Sequence, residues 1–463
     1  MESTIRPAHQ RELWGHPVGL YVLFFTEMWE RFSYYGMRAL FTLFLVAETT
    51  SSNAGFGWTN GEALALYGWY TMLVYVSSIP GGWIADRLLG QKKTVMLGGA
   101  LLCIGHSVLA LNSEMTFYLG CFFIILGVGC LKPNISSMVG GLYKAKDERR
   151  DLGFYIFYMG INIGGFLAPI ICGFVGENIS WHYGFGLAAI GMFLGQLVYI
   201  WGQKYLVNVG NLISKSSKEG KELLERKLTS IEKDRVKVLL LSFLLIILFW
   251  AAFEQAGGLM NLYAEQKTDR DFFGLFTIPA SVFQSVNSFF IVTLATVVGA
   301  FWLKWRKKGK ESSSIFKMAV GLIIMALGFG FMAAASLEYD NNGSSAMYWL
   351  ILAYLFHTIG ELCASPVSLS FITKLAPLKY ASIIMGLYWA ATGIGNKIAG
   401  LIGEASQELG EFEIFVGIAV VWTIIGLIVI LILKPLKRLA HGAEDGEGKV
   451  TDDEAEGFEL TEH

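Results

Sequence analysis

The chain has 463 residues, of which 54% are hydrophobic and only 16% are charged, and its formal net charge is −2. Soluble domains usually carry about 25% charged residues, and a near-neutral charge gives no reason to expect nucleic acid as a partner. The charge deficit falls in long apolar runs separated by short polar ones, which is typical of membrane proteins rather than of soluble enzymes. We expect buried thiols, with neither disulfides nor a metal site, because all the cysteines lie in apolar runs without CxxC spacing: Cys103, Cys121, Cys130, Cys172 and Cys363.

Twelve apolar runs are long enough for a helix to cross a hydrocarbon core about 30 Å thick, which needs roughly 20 residues. The predicted spans are 18–47, 62–86, 93–112, 115–140, 152–176 and 183–203, followed by 237–263, 278–304, 315–337, 346–374, 380–404 and 412–434. Residues 1–17 are polar, and the first apolar run is too long for a signal peptide, so we expect no cleavable signal.

Lysine and arginine follow the predicted loops unevenly. They cluster after the even-numbered spans, with five of them between residues 304 and 310. The loops after the odd-numbered spans are nearly free of them, apart from Lys267 and Arg270. Because positive charge concentrates in cytoplasmic loops, we expect a multi-pass protein of the inner (plasma) membrane with both termini in the cytoplasm.

One internal segment, 204–236, is too polar to span a membrane and is rich in helix-forming residues. We interpret it as a cytoplasmic linker between two six-helix bundles, 18–203 and 237–434. Residues 435–463 are predicted to form an acidic cytoplasmic tail. The predicted fold class is therefore an all-α membrane protein with 12 transmembrane helices in two bundles. Glycines and one asparagine recur in the fifth and eleventh spans, as transporter repeats would give, although glycine also permits close helix packing.

The first span carries an unusual set of polar residues: Glu27, Glu30, Arg31, Tyr34, Tyr35 and Arg38. Steps of three and four residues place most of them on one helix face. Ionisable groups are costly in lipid, so these side chains should face the interior of the bundle and line a cavity. The alternative is that the charges only pair with one another and lock helices together.

Lys132 lies well inside the fourth span. A lysine there needs a carboxylate, and we expect Glu27 or Glu30 to supply it. A proton arriving on that carboxylate would break the pair and free the lysine to hold a substrate carboxylate. The alternative is a lysine that reaches the membrane interface along its own apolar stem.

The second half supplies acids of its own. Its candidate residues are Trp250 and Glu254 one turn apart, Asn287, Glu361 and Ser365 one turn apart, and Trp389. Acids in one half that face cations in the other suit a zwitterionic ligand. His106 and His357 lie in spans without metal-like neighbours, and no GxxxxGK[ST] phosphate loop is present. We therefore expect an ion gradient, with no cofactor or metal, to drive any active transport.

Several stretches resemble those of one family. Residues 27–36 match the ExxERFxYYG signature of the proton-dependent oligopeptide transporter family, within the major facilitator superfamily. Residues 81–90 and 154–166 resemble the family's two other signatures, and 249–255 and 284–287 also fit. The resemblance extends from the first span to the eleventh. It implies the major facilitator fold and proton-coupled symport of di- and tripeptides into the cytoplasm by alternating access.

The resemblance also implies residue roles. For the peptide carboxylate it implies Arg31, Arg38 and Lys132, surrounded by Tyr34, Tyr35, Tyr70 and Asn162. For the peptide amine it implies Glu361 with Asn287, Ser365, Trp250 and Trp389. Proton coupling falls on Glu27, Glu30 and Glu254, acting with Arg31 and Lys132, and gating falls on Asp86 and Arg87. The implied partners are peptides, protons and the lipid bilayer, with the protein as a monomer.

Two departures from the family pattern matter. Many bacterial members insert two extra helices between the bundles, but 204–236 is too short and polar for them. Some members carry a histidine in the second span where this chain has Ala63, so the carboxylates must carry the proton. Three alternatives stay open: the same fold carrying a nitrate-like or modified amino-acid substrate, a non-transporting membrane sensor, and a membrane-embedded enzyme. The last ranks lowest, since no nucleophile–base pair or metal set lies in the spans.

Overall fold

The computed structural model describes residues 11–143, 149–206, 209–211, 228–377 and 381–442. The α-helices in these ranges are α1 (Val18–Val46), α2 (Asn60–Val76), α3 (Ser78–Ile84), α4 (Gln91–Leu109), α5 (Glu114–Gly141), α6 (Arg149–Asn178), α7 (Trp181–Gly202), α8 (Ser230–Phe253), α9 (Leu259–Lys267), α10 (Ser285–Lys307), α11 (Ser314–Asn342), α12 (Met347–Leu375), α13 (Ala381–Leu409), α14 (Glu411–Leu431) and α15 (Leu433–Leu439). Parts of the predicted linker (212–227) and tail (443–463) lie outside the described residues.

A helix occupies each of the twelve predicted spans. By length and composition, eight helices in the described chain could each cross a membrane. Two spans are interrupted. The second passes from α2 to α3 and into a π-helical turn, Ala85–Leu89, and the seventh passes from α8 through a 3-10 turn, Glu254–Ala256, into α9. The eighth begins with a 3-10 turn, Ala280–Gln284, ahead of α10.

Local sequence signals explain several helix ends. Thr59 and Glu62 form a capping box at the start of α2, and Thr229 and Glu232 form one at the start of α8. In each, the threonine hydroxyl and the glutamate carboxylate satisfy backbone N–H groups that the first turn leaves free. Gly343 ends α11 in the left-handed conformation at φ 79°, which glycine adopts without steric cost.

The helices form two halves that meet along two seams. In the first half α1 packs on α6 and α7, while α4 packs on α5; in the second half α11 packs on α12 and α14. Helix α2 lies along α13, and α6 lies along α10. A Cβ at Gly68 of α2 would lie 2.9 Å from the Cα of Gly400 in α13, so the first seam depends on glycine for its close approach.

Short β-strands lie near the ends of several helices. Strand β1 (Glu12–Leu13) pairs antiparallel with β2 (His16–Pro17), and β3 (Thr268–Asp269) pairs parallel with β6 (Ser345–Ala346). Strands β4 (Asp271–Phe272) and β5 (Phe276–Thr277) form an antiparallel hairpin. We call the end of the molecule that carries loops 47–59, 268–284 and 343–346 the outer end.

Candidate functional site

The first half places an arginine between two acids in its interior. Arg31 Nη2 donates to Glu30 Oε1 at 2.7 Å, and its Nε donates to Glu30 Oε2. The same Nε lies 3.3 Å from Glu27 Oε1, and all three side chains are buried. Among the described residues, the other Glu27 oxygen, Oε2, has no hydrogen-bond partner. The cluster therefore holds two carboxylates against one guanidinium, with one acceptor oxygen still free.

Lys132 differs from the expectation that it pairs with Glu27 or Glu30. Its ammonium lies 4.0 Å from the ring centroid of Tyr75 and 4.9 Å from that of Trp389. No ion pair joins it to a carboxylate anywhere in the described chain. Arg31 is the reason, because its fork lies one turn from Glu27 on the same helix and already engages both acids. The pairing that we expected is wrong, and the lysine is held by cation–π contacts instead.

Two phenol rings separate the arginines of α1. The Arg31 guanidinium carbon lies 5.2 Å from the centroid of the Tyr34 ring and 6.0 Å from that of Tyr35. The guanidinium carbon of Arg38 lies 5.6 Å from the Tyr35 centroid. The polar face predicted from the spacing along α1 is thus a continuous row of alternating cations and aromatic rings.

A second charged cluster joins the two halves. Arg38 Nη2 lies 3.0 Å from Glu254 Oε1, and Arg38 Nε donates to the Tyr67 hydroxyl at 2.8 Å. The Tyr67 hydroxyl in turn donates to Glu254 Oε1. Our sequence reasoning missed Tyr67; its spacing three residues before Tyr70 on α2 is the signal that could have identified it.

The second half holds its acid on an amide. Asn287 Nδ2 of α10 donates to Glu361 Oε2 at 2.9 Å and to Thr358 Oγ1 at 3.0 Å. Glu361 is buried on α12, and Ser365 lies half-buried one turn further along the same helix. The structure therefore brings together Asn287 and Glu361, as predicted, and adds Thr358.

Other predicted residues have structural contacts of their own. Trp389 stacks on Tyr75, with centroids 5.9 Å apart, beneath the Lys132 ammonium. Tyr70 stacks on Phe41 at 5.0 Å, and its buried hydroxyl has no hydrogen-bond partner in the described chain.

Three further predictions receive no support from direct contacts. The Asn162 amide donates to the backbone oxygen of its own helix at Tyr158, 3.0 Å away, rather than to the arginine cluster. Trp250 packs edge-on against Phe253, with centroids 5.3 Å apart. Asp86 and Arg87 lie exposed on the π-helical turn at the end opposite to the outer end.

A cleft of only about 20 Å³, room for about one water molecule, lies between the halves. Arg38 bounds it on one side and Asn287, the partner of Glu361, on the other. Its lining comes from both halves: Tyr35, Arg38, Gly165, Pro169, Phe253, Ala256, Gln284, Asn287, Ser288 and Tyr354. Arg38 of the first half thus faces, across one interior space, the amide that holds Glu361.

Known proteins resemble this chain in sequence and in fold. The POT family matches residues 92–219 and 211–413. The chain is 37% identical to an uncharacterized transporter, YclF, of Bacillus subtilis (strain 168), over 95% of this chain and 98% of that protein. It is 35% identical to a di-/tripeptide transporter of Lactococcus lactis subsp. lactis (strain IL1403), over 93% and 98%. A crystal structure of the peptide transporter POT in complex with sulfate superposes with a TM-score of 0.85 at 35% identity, over 93% of this chain and 97% of that one. The chain is therefore a multi-pass membrane transporter of the POT family, with the major facilitator fold.

Proposed function

We propose that this protein is a secondary active transporter that carries di- and tripeptides into the cytoplasm together with protons. The observation that carries the proposal is the interior cleft, which has Arg38 on the side of the first half and Asn287, the partner of Glu361, on the side of the second, and which must widen to admit a peptide. A short peptide is a zwitterion, so it needs a cation at one end and an anion at the other. A relative named as a di-/tripeptide transporter supports the same substrate class.

Lys132 is the proposed cation for the peptide carboxylate once the cleft widens, because Arg38 is already paired with Glu254. Its ammonium rests on two aromatic rings and has no carboxylate partner in the described chain. A substrate carboxylate would supply the missing anion without first displacing a protein one. Glu361, whose carboxylate accepts a hydrogen bond from Asn287, is the corresponding site for the peptide ammonium. The remaining predicted contacts, including those of Tyr70, Asn162, Trp250, Ser365 and Trp389, stay proposals.

Glu27 and Glu254 are the proposed proton carriers. Glu27 has a free oxygen in a buried cluster of two acids and one arginine, so a proton there removes excess negative charge. Glu254 links the two halves through its contacts with Arg38 and Tyr67, so protonating Glu254 would weaken those contacts. Each proton would therefore change a contact on which the conformational cycle depends.

We further propose the topology that the loop charges predict: an inner-membrane monomer with cytoplasmic termini, bundles at 18–203 and 237–434, a linker at 204–236 and a tail at 435–463. The coupling energy would come from the proton gradient and no cofactor. Asp86 and Arg87 would act at the cytoplasmic gate.

Uptake of labelled dialanine into proteoliposomes tests the function. We expect an inward proton gradient to drive uptake, an uncoupler to abolish it, and unlabelled tripeptide to compete. Glu361→Gln should weaken uptake of dialanine more than that of N-acetyl-dialanine, since only the former has an ammonium. Glu404→Gln, at an exposed position of α13, is the matched control. No uptake by correctly inserted, folded protein would contradict the peptide assignment and favour a nitrate-like or modified amino-acid substrate.

A further inference from the structure

An apolar hairpin projects from the outer end. Between β4 and β5 the turn is fixed by the Gly274 N–H, which donates to Asp271 Oδ2 at 2.7 Å. The side chains that it presents are large and uncovered: Phe273 is 87% exposed and Leu275 is 76% exposed. The Phe272 and Phe276 rings contact each other, with centroids 5.4 Å apart. The hairpin is therefore a preformed apolar wedge and not a loose polar loop.

A cavity of about 510 Å³ lies between this hairpin and α6. Every residue that lines it is apolar: Ile170, Ile171, Phe174, Val175, Phe272, Phe276, Ile278, Pro279 and Val282. The first four belong to α6 in the first half, and the other five belong to the hairpin and the chain after it in the second half. Its walls therefore come from both halves of the transporter.

The cavity continues an exposed apolar surface of a helix that could span the membrane. Ile171 and Phe174 are exposed on α6, whose segment Leu152–Asn178 is apolar enough to cross a membrane. Water in the cavity would find no polar partner on its walls, which makes a hydrated state unfavourable. Its volume falls in the range of about 300–1,000 Å³ that small-molecule sites occupy. An apolar chain from the bilayer matches these apolar walls and this volume, and it can enter from the neighbouring exposed surface of α6.

We propose that this cavity binds the acyl chain of a lipid from the outer leaflet, with the hairpin immersed in that leaflet. The bound chain lies across the seam between α6 and the second half, where the two halves must move apart when the outer end opens. Since the walls offer no polar group, selection acts on the acyl chain and not on the headgroup. The site is independent of the peptide cleft, and its place in the outer leaflet rests on the topology proposed above.

Photo-crosslinking tests the site directly. The full chain is reconstituted with phosphatidylcholine that carries a diazirine in its acyl chain, and adducts are mapped by mass spectrometry. We expect adducts on residues 170–175 and 272–282, reduced several-fold by Ile171→Trp, which fills the cavity. Adducts at Leu427, an exposed residue of α14, should not change. Equal labelling of the cavity in both proteins, or labelling at Leu427 alone, would overturn the proposal.

Spin labelling keeps the proposal testable if Ile171→Trp fails to fold. A nitroxide on Leu275→Cys should be accessible to oxygen and shielded from a water-soluble nickel chelate, whereas one on Ser52→Cys, in the exposed loop 47–59, should show the reverse. The native cysteines are buried and should not react. A label at 275 that the chelate reaches, or disulfide dimers through Leu275→Cys, would overturn the lipid assignment, the latter in favour of a second copy of this chain.

Discussion

Arg31 is a buried cation and Lys132 is a half-buried one, yet they have different partners. Arg31 presents a planar fork, which can engage two carboxylates at once, and it does so with Glu30 and Glu27. Lys132 carries a point charge, which rests on the faces of Tyr75 and Trp389. The chemistry of the two side chains thus assigns the arginine to holding the acids and leaves the lysine able to accept a ligand.

Lys132→Gln should nearly abolish proton-driven peptide uptake. The substitution removes the only cation in the described chain that rests on the Tyr75 ring. A charge-assisted hydrogen bond contributes about 1.5–3 kcal/mol, so we expect uptake efficiency to fall roughly 10- to 100-fold. Initial uptake rates over a range of dialanine concentrations measure the change.

A matched lysine controls for general effects of the substitution. Lys397 also lies over an aromatic ring, 4.6 Å from the centroid of Trp69, but away from the interior clusters. Lys397→Gln should keep uptake within about twofold, as substitutions away from buried charge networks usually change stability by no more than about 0.5 kcal/mol. Equal losses in both variants would show that Lys132 stabilises the fold and does not bind substrate.

The sequence identified most of the polar residues of the site but not their partners. Glu27, Glu30 and Lys132 were predictable because ionisable residues in apolar spans must face an interior. Whether Arg31 or Lys132 would reach the acids depends on a difference of a few ångströms between α1 and α5, and spacing along one helix does not report it. Tyr67 was missed for the same reason, since its role depends on Glu254, which is 187 residues away.

At the scale of elements, the Arg38–Tyr67–Glu254 cluster joins α1 and α2 to the turn after α8. Tyr67→Phe removes the hydroxyl that both accepts from Arg38 and donates to Glu254. Loss of a buried hydrogen-bond partner costs about 1–3 kcal/mol, so the closed outer end should become less populated. Electron–electron distances between spin labels at exposed Ser52 and Ser344, one in each half, should shift to longer values.

Tyr70→Phe is the control for that distance measurement. It removes the same group from the same helix, but the Tyr70 hydroxyl has no hydrogen-bond partner in the described chain. We expect its distance distribution to match that of the unsubstituted protein. If the two variants shift the distances equally, the cluster does not hold the outer end closed.

A pH-dependent salt bridge connects helix α15 to the loop before α11. Lys437 Nζ lies 2.9 Å from Glu311 Oε2, and the Ser313 N–H donates to Oε1 of the same carboxylate. Partial burial raises the pKa of Glu311, but these donors outweigh it and lower the pKa to about 2. A lowered pKa means that the folded state favours the carboxylate, so the stabilisation is present above the ordinary pKa and is lost as pH falls toward 2.

Hydrogen exchange at the amides of α15 should report this contact. We expect their protection, corrected for intrinsic rates, to fall no more than about fivefold between pH 5 and pH 2, because exposed ion pairs contribute about 0–1 kcal/mol. Glu311→Gln should show the lower protection throughout that range. Unchanged protection in the variant would mean that other contacts hold α15 without this salt bridge.

The positions of the long helices were predictable, whereas their interruptions were not. A membrane span is recognisable in the sequence as a run of some twenty apolar residues, and helices occupy all twelve predicted spans. The turn at 254–256 lies inside such an apolar run, and the π-helical turn at 85–89 begins at the end of one. The first of these turns precedes a close approach between helices, since a Cβ at Gly257 would lie 2.7 Å from Arg38 Nε. Periodicity along the chain carries no information about that distant contact.

At the scale of the whole molecule, several contacts close the outer end across the two halves. Thr42 Oγ1 donates to the Gly257 oxygen at 3.3 Å, and Asn261 Nδ2 donates to the Ala39 oxygen at 3.0 Å. Asn60 and Gln266 exchange hydrogen bonds at 3.0 Å. In an alternating-access cycle all of these contacts must break before the interior can open at this end.

Glu177 makes the most numerous of these contacts from a single side chain, and we expect it to set how readily the outer end opens. From the end of α6 it accepts hydrogen bonds from the N–H groups of Ala280 and Ser281, at 2.8 and 2.9 Å, and lies 3.6 Å from Arg270. Glu177→Ala leaves those donors unpaired only when the outer end is closed, so it should favour opening by about 1–3 kcal/mol. Modification of Ser281→Cys by a membrane-impermeant thiol reagent should then proceed roughly five- to 100-fold faster.

Glu265→Ala is the matched control, because Glu265 pairs with the same arginine, at 2.7 Å, from within the second half. Faster modification in both variants would trace the effect to Arg270, and faster modification in neither would exclude Glu177 as a determinant of opening.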